Sequence, residues 1–159
     1  MSYAWPWVPL IAQFKFHSQP SWARHFALLM QSTPFVADAM AQAHVFVPIP
    51  LSDQRLSERG FNQSLLLSEQ LSREKTHPNS LLRMRNTLAQ STLPRNERMT
   101  NLKGAFAVNP FMAAKLRGQR IMLIDDVMTS GATLNAAATV LKQAGAVHVS
   151  ALVFARTPA

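Results

Sequence analysis

The sequence feature that most constrains the fold is the stretch from 121 to 134, IMLIDDVMTSGATL. Its first four residues are apolar and predict a buried strand. Two adjacent acids, Asp125 and Asp126, stand where we expect that strand to end. Small and hydroxyl residues follow, and then an alanine-rich segment with the spacing of a helix. The chain is therefore predicted to contain a strand, a tight loop and a helix in direct succession.

This loop has the composition of a phosphate site. Small residues let backbone N–H groups approach an anion, hydroxyls add donors, and the positive end of the helix dipole favours negative charge. Neighbours on a strand point to opposite faces, so Asp125 and Asp126 cannot share one simple role. A ligand with both a phosphate and vicinal hydroxyls would use both features. The predicted phosphate residues are Val127, Met128, Thr129, Ser130, Gly131, Ala132 and Thr133.

The stretch resembles the signature with which type I phosphoribosyltransferases bind 5-phosphoribosyl 1-diphosphate (PRPP). The resemblance implies that Asp125 and Asp126 lie at the ribose hydroxyls, where they are also the candidate catalytic residues, and that the loop holds the 5′-phosphate. A receiver domain also has adjacent acids after a strand, but after its first strand, whereas this pair lies late in the chain. A Walker-type loop, G-x-x-x-x-G-K-[ST], does not occur. An ordinary strand, turn and helix with a polar cap is the remaining alternative.

A second anion site is predicted after the strand expected at 44–50, which ends at two prolines. The connection that follows contains Arg55 and Arg59 and leads into an amphipathic helix from about 60 to 74. Arginines near a helix N-terminus favour anion binding, and the alternative is a solvated basic connection. In phosphoribosyltransferases this position holds the pyrophosphate loop. The resemblance implies pyrophosphate contacts from Pro50, Leu51, Arg55, Arg59, Arg83 and Arg85.

Two further segments are less regular. Residues 1–20 are rich in aromatics, and their prolines argue against a continuous helix, so we expect a strap or hood with a short strand at 14–16 and Lys15 on its outer face. This segment either packs on the core or leaves an apolar surface for a partner. Residues 76–120 are rich in arginine and are expected to form a basic flap, with 81–82 and 106–108 as the ends of a hairpin. The flap closes over pyrophosphate, grips single-stranded nucleic acid, or is a disordered basic loop.

The whole chain resembles the ComF/GntX family. The resemblance runs through the motifs FKF at 14–16, VPIPL at 47–51, ERGFNQS at 58–64, RMRNT at 83–87 and the stretch at 121–134. It implies a type I phosphoribosyltransferase-like α/β fold, a central parallel sheet flanked by helices with the site at the strand ends, and a link to natural competence. Family members commonly carry an N-terminal Cys-rich zinc ribbon. This sequence contains no Cys, so that module is absent from it.

Bulk properties favour a single domain over residues 1–159 with polyanionic partners. Lys and Arg number 16 against 8 Asp and Glu, a net charge of +8 that favours nucleic acid or phosphate-rich small molecules. No apolar run is long enough for a membrane span, and the N-terminal sequence lacks the features of a signal peptide. We therefore expect a cytoplasmic protein without membrane insertion.

Three functions remain open from the sequence. The chain is a phosphoribosyltransferase that releases pyrophosphate, a PRPP-binding protein without turnover, or a competence factor that binds single-stranded DNA or other competence proteins. The expected cofactor is Mg²⁺, held through PRPP and water rather than directly by side chains. No residue stands out as a general base for an acceptor, and the acceptor itself is not indicated.

Overall fold

The computed structural model describes residues 1–16, 19–84 and 104–157. Its strands are β1 Val45–Pro48, β2 Leu81–Arg83, β3 Phe106–Val108, β4 Arg120–Met128 and β5 His148–Arg156. Its helices are α1 Trp7–Phe16, α2 Trp22–Gln31, α3 Val36–Gln42, α4 Asp53–Arg59, α5 Gln63–Ser72, α6 Pro110–Leu116 and α7 Ala132–Gln143.

A parallel sheet with the order β1-β4-β5 forms the centre of the fold. Val45 of β1 pairs with Ile121 of β4, and Ile121 pairs in turn with Val149 of β5. All three strands therefore end at the same edge, as predicted. This carboxyl edge of the sheet is where parallel α/β folds bind ligands.

Both faces of the sheet are covered, which explains why β4 begins as a nearly continuous apolar run. On one face α1, α2 and α5 pack over Met122 and Ile124. On the other face α7, α6 and the β2–β3 pair pack over Ile121 and Leu123. The alternation of side chains along β4 thus supplies two separate cores from one strand. The predicted α/β architecture is confirmed.

Strand β4 is longer than predicted. Val127 pairs with Ala155 and Met128 with Arg156, so the strand continues past the two acids. Asp125 and Asp126 therefore lie inside the last part of β4 rather than beyond its end. Sequence pattern missed this because polar residues normally mark the end of a buried strand, whereas here they line the carboxyl edge.

The N-terminal expectation was wrong in its local structure. Residues 14–16 are not a strand but the last turn of α1. Pro9 is accommodated because the N–H groups of a helix's first turn have no intrahelical partner. Ile11 and Phe14 are buried, and Trp7 meets Phe154 edge-on at 5.4 Å between ring centroids. The interpretation of this segment as a strap packed on the core is the one the structure supports.

The prediction was less accurate for the connection after β1 than for the basic flap. The expected loop around Arg55 and Arg59 is in fact the short helix α4, and the amphipathic helix begins only at Gln63. In the basic flap, β2 and β3 pair antiparallel, with Leu81 opposite Val108, which confirms the hairpin ends. The flap also contains α6, which was not predicted. Arg85 and the rest of 85–103 lie outside the described residues.

Candidate functional site

The two aspartates of β4 face different surroundings. The Asp125 carboxylate oxygen Oδ1 accepts hydrogen bonds from the Ser64 hydroxyl at 2.8 Å and from the Asp126 backbone N–H at 2.9 Å. Asp126 is only 7% exposed, and its Oδ1 accepts from the Val127 N–H at 2.8 Å. This divergence agrees with the expectation that neighbours on a strand point to opposite faces.

Asp126 is held by a cation from the N-terminal helix. Its Oδ2 lies 2.8 Å from Nζ of Lys15, and both side chains are largely buried. The expectation that Lys15 points outward was therefore wrong. A buried carboxylate without such a partner would be strongly unfavourable, so this pair makes the position of Asp126 physically tolerable.

The electrostatic environment of Asp125 is unusual for a carboxyl group. Burial, and next the negative charge of Asp126, raise the pKa of Asp125 to about 7. The Ser64 hydroxyl and the Lys15 charge oppose this shift. The ionisation of Asp125 therefore depends on groups from three separate elements: Ser64 of α5, Lys15 of α1 and Asp126 of β4.

A small hollow at the carboxyl edge coincides with the predicted phosphate loop. Gly131 adopts a left-handed conformation with φ of 77° and stands as the N-cap of α7 without a side-chain cap. The N–H groups of the first helical turn therefore have no intrahelical carbonyl and are suited to an anion. The residues lining the hollow are Asp125, Val127, Met128, Thr129, Gly131, Thr133 and Leu134.

Two of the predicted loop residues do not line this hollow. The Ser130 hydroxyl accepts a hydrogen bond from the Ala132 N–H at 3.4 Å and so stabilises the loop from within. Ala132 is the first residue of α7 and is buried in the core. Both therefore lie outside the lining of the hollow, which includes Thr129 and Thr133.

Two of the predicted arginines, Arg59 and Arg83, lie within electrostatic range of the acids. Burial lowers the pKa of Arg59, while the charges of Asp126 and Asp125 raise it. Burial, and then the charge of Arg55, lower the pKa of Arg83, and Asp125 opposes this. The Arg83 guanidinium also lies over the Phe106 ring, 5.3 Å from its centroid. The fold thus places α4 and β2 cations beside the acid pair.

The connection from β1 to this site is fixed by helix caps. Pro50 and Leu51 are partly exposed and precede Ser52, whose Oγ accepts from the Arg55 N–H at 3.4 Å as the N-cap of α4. Asn62 caps α5 by accepting from the Ser64 N–H at 2.9 Å, and its amide donates to the Ile49 carbonyl at 3.0 Å. Asn62 therefore ties the arginine-bearing segment to the end of β1.

Not every cation of the basic flap reaches this edge. Arg120 is the first residue of β4 and pairs with His148, so it lies at the opposite edge of the sheet. At a rise of about 3.3 Å per residue, the length of β4 separates it from Met128 by roughly 26 Å. Arg120 is thus excluded from the site that contains Asp125.

Sequence reasoning missed three residues of the site: Lys15, Ser64 and Asn62. Asn62 stands directly before a helix and is a typical N-cap, so a cap search would have found it. Ser64 carries a weaker signal, a small polar residue on the buried face of α5. Lys15 has no local signal, because its partner comes from the other end of the chain.

No group of three or more His, Asp or Glu side chains able to hold a metal ion occurs among residues 1–16, 19–84 and 104–157. Within the same ranges, the helices are all too short and polar to traverse a bilayer.

The loop follows the central strand of a parallel sheet, and the acid pair and arginines lie at the same edge. This arrangement is typical of phosphoribosyl transferase folds. Comparison with known proteins supports this. The profile of the phosphoribosyl transferase domain family matches residues 26–159. Competence protein F of Haemophilus influenzae is 34% identical over 155 residues, which cover 92% of this chain and 66% of that protein.

Two other relatives have related names. Competence protein ComFC of Bacillus subtilis is 43% identical over 114 residues, 71% of this chain and 45% of that protein. The DNA utilization protein YhgH of Escherichia coli K12 is 32% identical over 161 residues, 98% of this chain and 69% of that protein. The chain thus spans between 45% and 69% of the length of these relatives. It belongs to the phosphoribosyl transferase domain family and, within it, to the ComF family, as its motifs predict.

Proposed function

We propose that the chain binds PRPP at the carboxyl edge of its sheet. The observation that carries this proposal is the hollow lined by Asp125, Thr129 and Thr133, at the N-terminus of α7. A 5′-phosphate there would accept hydrogen bonds from backbone N–H groups and threonine hydroxyls. The Asp125 carboxylate would accept hydrogen bonds from a ribose hydroxyl, and Asp126 would support it from the opposite face of the strand.

The pyrophosphate group of the ligand is assigned to the arginine side of the site. Arg59 and Arg83 are each close enough to Asp125 for its charge to affect their pKa. Guanidinium groups bind phosphate oxygens through paired N–H donors, so they suit this group. Mg²⁺ would bind oxygens of PRPP itself and retain several waters. The chain's residues fit that arrangement because Arg59 and Arg83 offer cations to the phosphate oxygens and Asp125 offers a carboxylate to the sugar.

We further propose that the bound PRPP is a phosphoribosyl donor. A nucleophile would form a bond to ribose C1′ while the bond from C1′ to the pyrophosphate oxygen breaks, and pyrophosphate would leave with the electron pair. The ring would gain positive charge as this happens, and the acid pair would stabilise that charge. Arg59 and Arg83 would stabilise the leaving group. Release of pyrophosphate with candidate acceptors distinguishes this donor role from PRPP binding without turnover.

The names of the relatives suggest the process in which such a protein acts. Two are competence proteins and one is a DNA utilization protein. With a net charge of +8, the chain also suits a polyanionic partner. We propose a role in the uptake or use of DNA in the cytoplasm, with single-stranded DNA or other competence proteins as partners. Contact with a DNA backbone would make the affinity fall steeply with salt concentration.

Calorimetric titration with PRPP and Mg²⁺ tests the proposal directly. The wild-type chain is expected to bind, and Asp125→Asn together with Asp126→Asn is expected to abolish binding. The single change Asp125→Asn preserves the Lys15–Asp126 pair and tests the ribose contact alone. Asp38→Asn removes one charge at an exposed site on α3 and serves as the control. Unchanged affinity in the double variant, or no binding by the wild type, would rule the assignment out.

A further inference from the structure

The N-terminal helix α1 contributes to the site described above through two neighbouring residues. Lys15 reaches Asp126 at 2.8 Å. Phe14 is fully buried and packs against Phe61, with 5.9 Å between ring centroids. Phe61 lies between α4 and α5, close in sequence to Arg59. One turn of α1 therefore contacts both the acid pair and the segment that carries an arginine of the site.

The charges that surround the acid pair come from several elements. Lys15 of α1 and Arg59 of α4 both interact with Asp126, and Arg83 of β2 interacts with Asp125. Ser64 of α5 donates a hydrogen bond to Asp125. Lys15 is in direct contact with a carboxylate of the pair, at 2.8 Å, and Arg59 and Arg83 add positive charge nearby. Lys15 is thus poised to balance the pair before any ligand arrives.

We propose that Lys15 is a positioning residue of the PRPP site, which holds Asp126 and balances the acid pair so that Asp125 stays ionised for the ribose hydroxyl. This inference rests on the proposed function. Without the Lys15 charge, burial and the negative charge of Asp126 would disfavour the ionised form of Asp125 more strongly. A protonated Asp125 loses acceptor capacity, so the sugar would be held less well.

The consequence is a specific dependence on pH. The Lys15 charge lowers the pKa of Asp125, which burial and Asp126 raise to about 7. Removing Lys15 therefore moves the ionisation of Asp125 to higher pH. If the pKa of Asp125 rises by about one unit, its ionised fraction at pH 7 falls about fivefold. Well above the pKa values of both the wild type and the variant, Asp125 is ionised in each and the difference in affinity disappears. A purely structural role for Lys15 would weaken binding equally at every pH.

The test compares four variants by PRPP calorimetry from pH 6 to pH 9. Lys15→Met is expected to lose at least about fivefold in affinity at pH 7 and to recover toward the wild-type value at pH 9. Lys15→Arg keeps the charge and should restore most of the affinity. Lys15→Gln keeps a donor for Asp126 without the charge, so it should behave as Lys15→Met does. Lys142→Met removes an exposed lysine near the far end of α7 and should change nothing.

A second measurement does not need PRPP. The carboxyl carbon of Asp125, observed by NMR in the ligand-free protein, should titrate at higher pH in Lys15→Gln than in the wild type. An unchanged midpoint, or an affinity loss that is the same at every pH, would overturn the role of Lys15. If the wild type binds no PRPP while the midpoint still moves, the proposed function fails and the charge coupling stands.

Discussion

The two halves of the candidate site are built in opposite ways. The phosphate half is a single run of chain from Asp125 to Leu134, in which strand, loop and helix follow one another directly. The arginine half is assembled from α1, α4 and β2, which are far apart in sequence and converge only in the folded chain. The first half depends on local backbone geometry, and the second depends on tertiary packing.

Because of this difference, we expect the two halves to contribute differently to ligand binding and to folding. Backbone N–H groups in a tight loop are fixed by the loop itself, so they are ready to bind an anion. The arginines and Lys15 are long side chains whose positions depend on elements that must first pack. We therefore expect loss of the Arg59 side chain to alter affinity more than folding, loss of Lys15 to affect both because its pair with Asp126 is largely buried, and changes in the loop to affect both.

The larger expected effect comes from the arginine half. Arg59→Ala removes a cation assigned to the pyrophosphate, and hydrogen bonds to charged groups contribute about 1.5–3 kcal/mol. The affinity for PRPP should fall by roughly 10- to 150-fold, measured by calorimetry. Arg59→Lys retains the charge without the paired donors. Its affinity for PRPP should lie between that of the wild type and that of Arg59→Ala.

The matched control for this prediction is Arg24→Ala, since Arg24 is an exposed arginine on α2. It removes the same charge and should leave PRPP affinity unchanged. A similar loss in both variants would mean that net charge alone drives binding, and the arginine half would no longer be distinct from the rest of the basic surface.

The smaller expected effect comes from the loop. Gly131 has φ of 77°, and a non-glycine residue there is strained by about 1–2 kcal/mol. Gly131→Ala should lower the free energy of unfolding by about that amount, measured by urea denaturation, and weaken PRPP binding severalfold. Gly118 has φ of 74° and lies before β4, at the opposite edge of the sheet. Gly118→Ala should cost similar stability and leave affinity intact; equal affinity losses in the two variants would remove the special role of the loop.

The same contrast explains how much was predictable from the sequence. The succession of strand, loop and helix was predicted because its pattern depends on neighbours within one stretch, and the roles of the loop residues and the acid pair stay predictions. Lys15 was misplaced because three residues, FKF, fit a strand or a helix equally well, and only contact with Asp126 decides its direction. The pairing of distant elements is not encoded in any short pattern.

Helix α4 was missed for a different reason. Its residues are mostly polar, so no apolar periodicity indicates a helix. Cap signals were nevertheless present: Ser52 accepts a hydrogen bond from the Arg55 N–H, and Gly60 ends the helix with φ of 77°. Attention to both caps would have predicted the helix that carries Arg55 and Arg59.

The central claim is that the phosphate of a phosphorylated pentose rests on the start of α7 with its sugar at Asp125. A crystal structure of the chain with PRPP and Mg²⁺ tests it most directly. The account predicts phosphate oxygens within about 2.7–3.2 Å of the backbone nitrogens between Thr129 and Thr133, and a ribose hydroxyl against the Asp125 carboxylate. A ligand bound instead at the opposite edge of the sheet, beside Arg120 and His148, would contradict it.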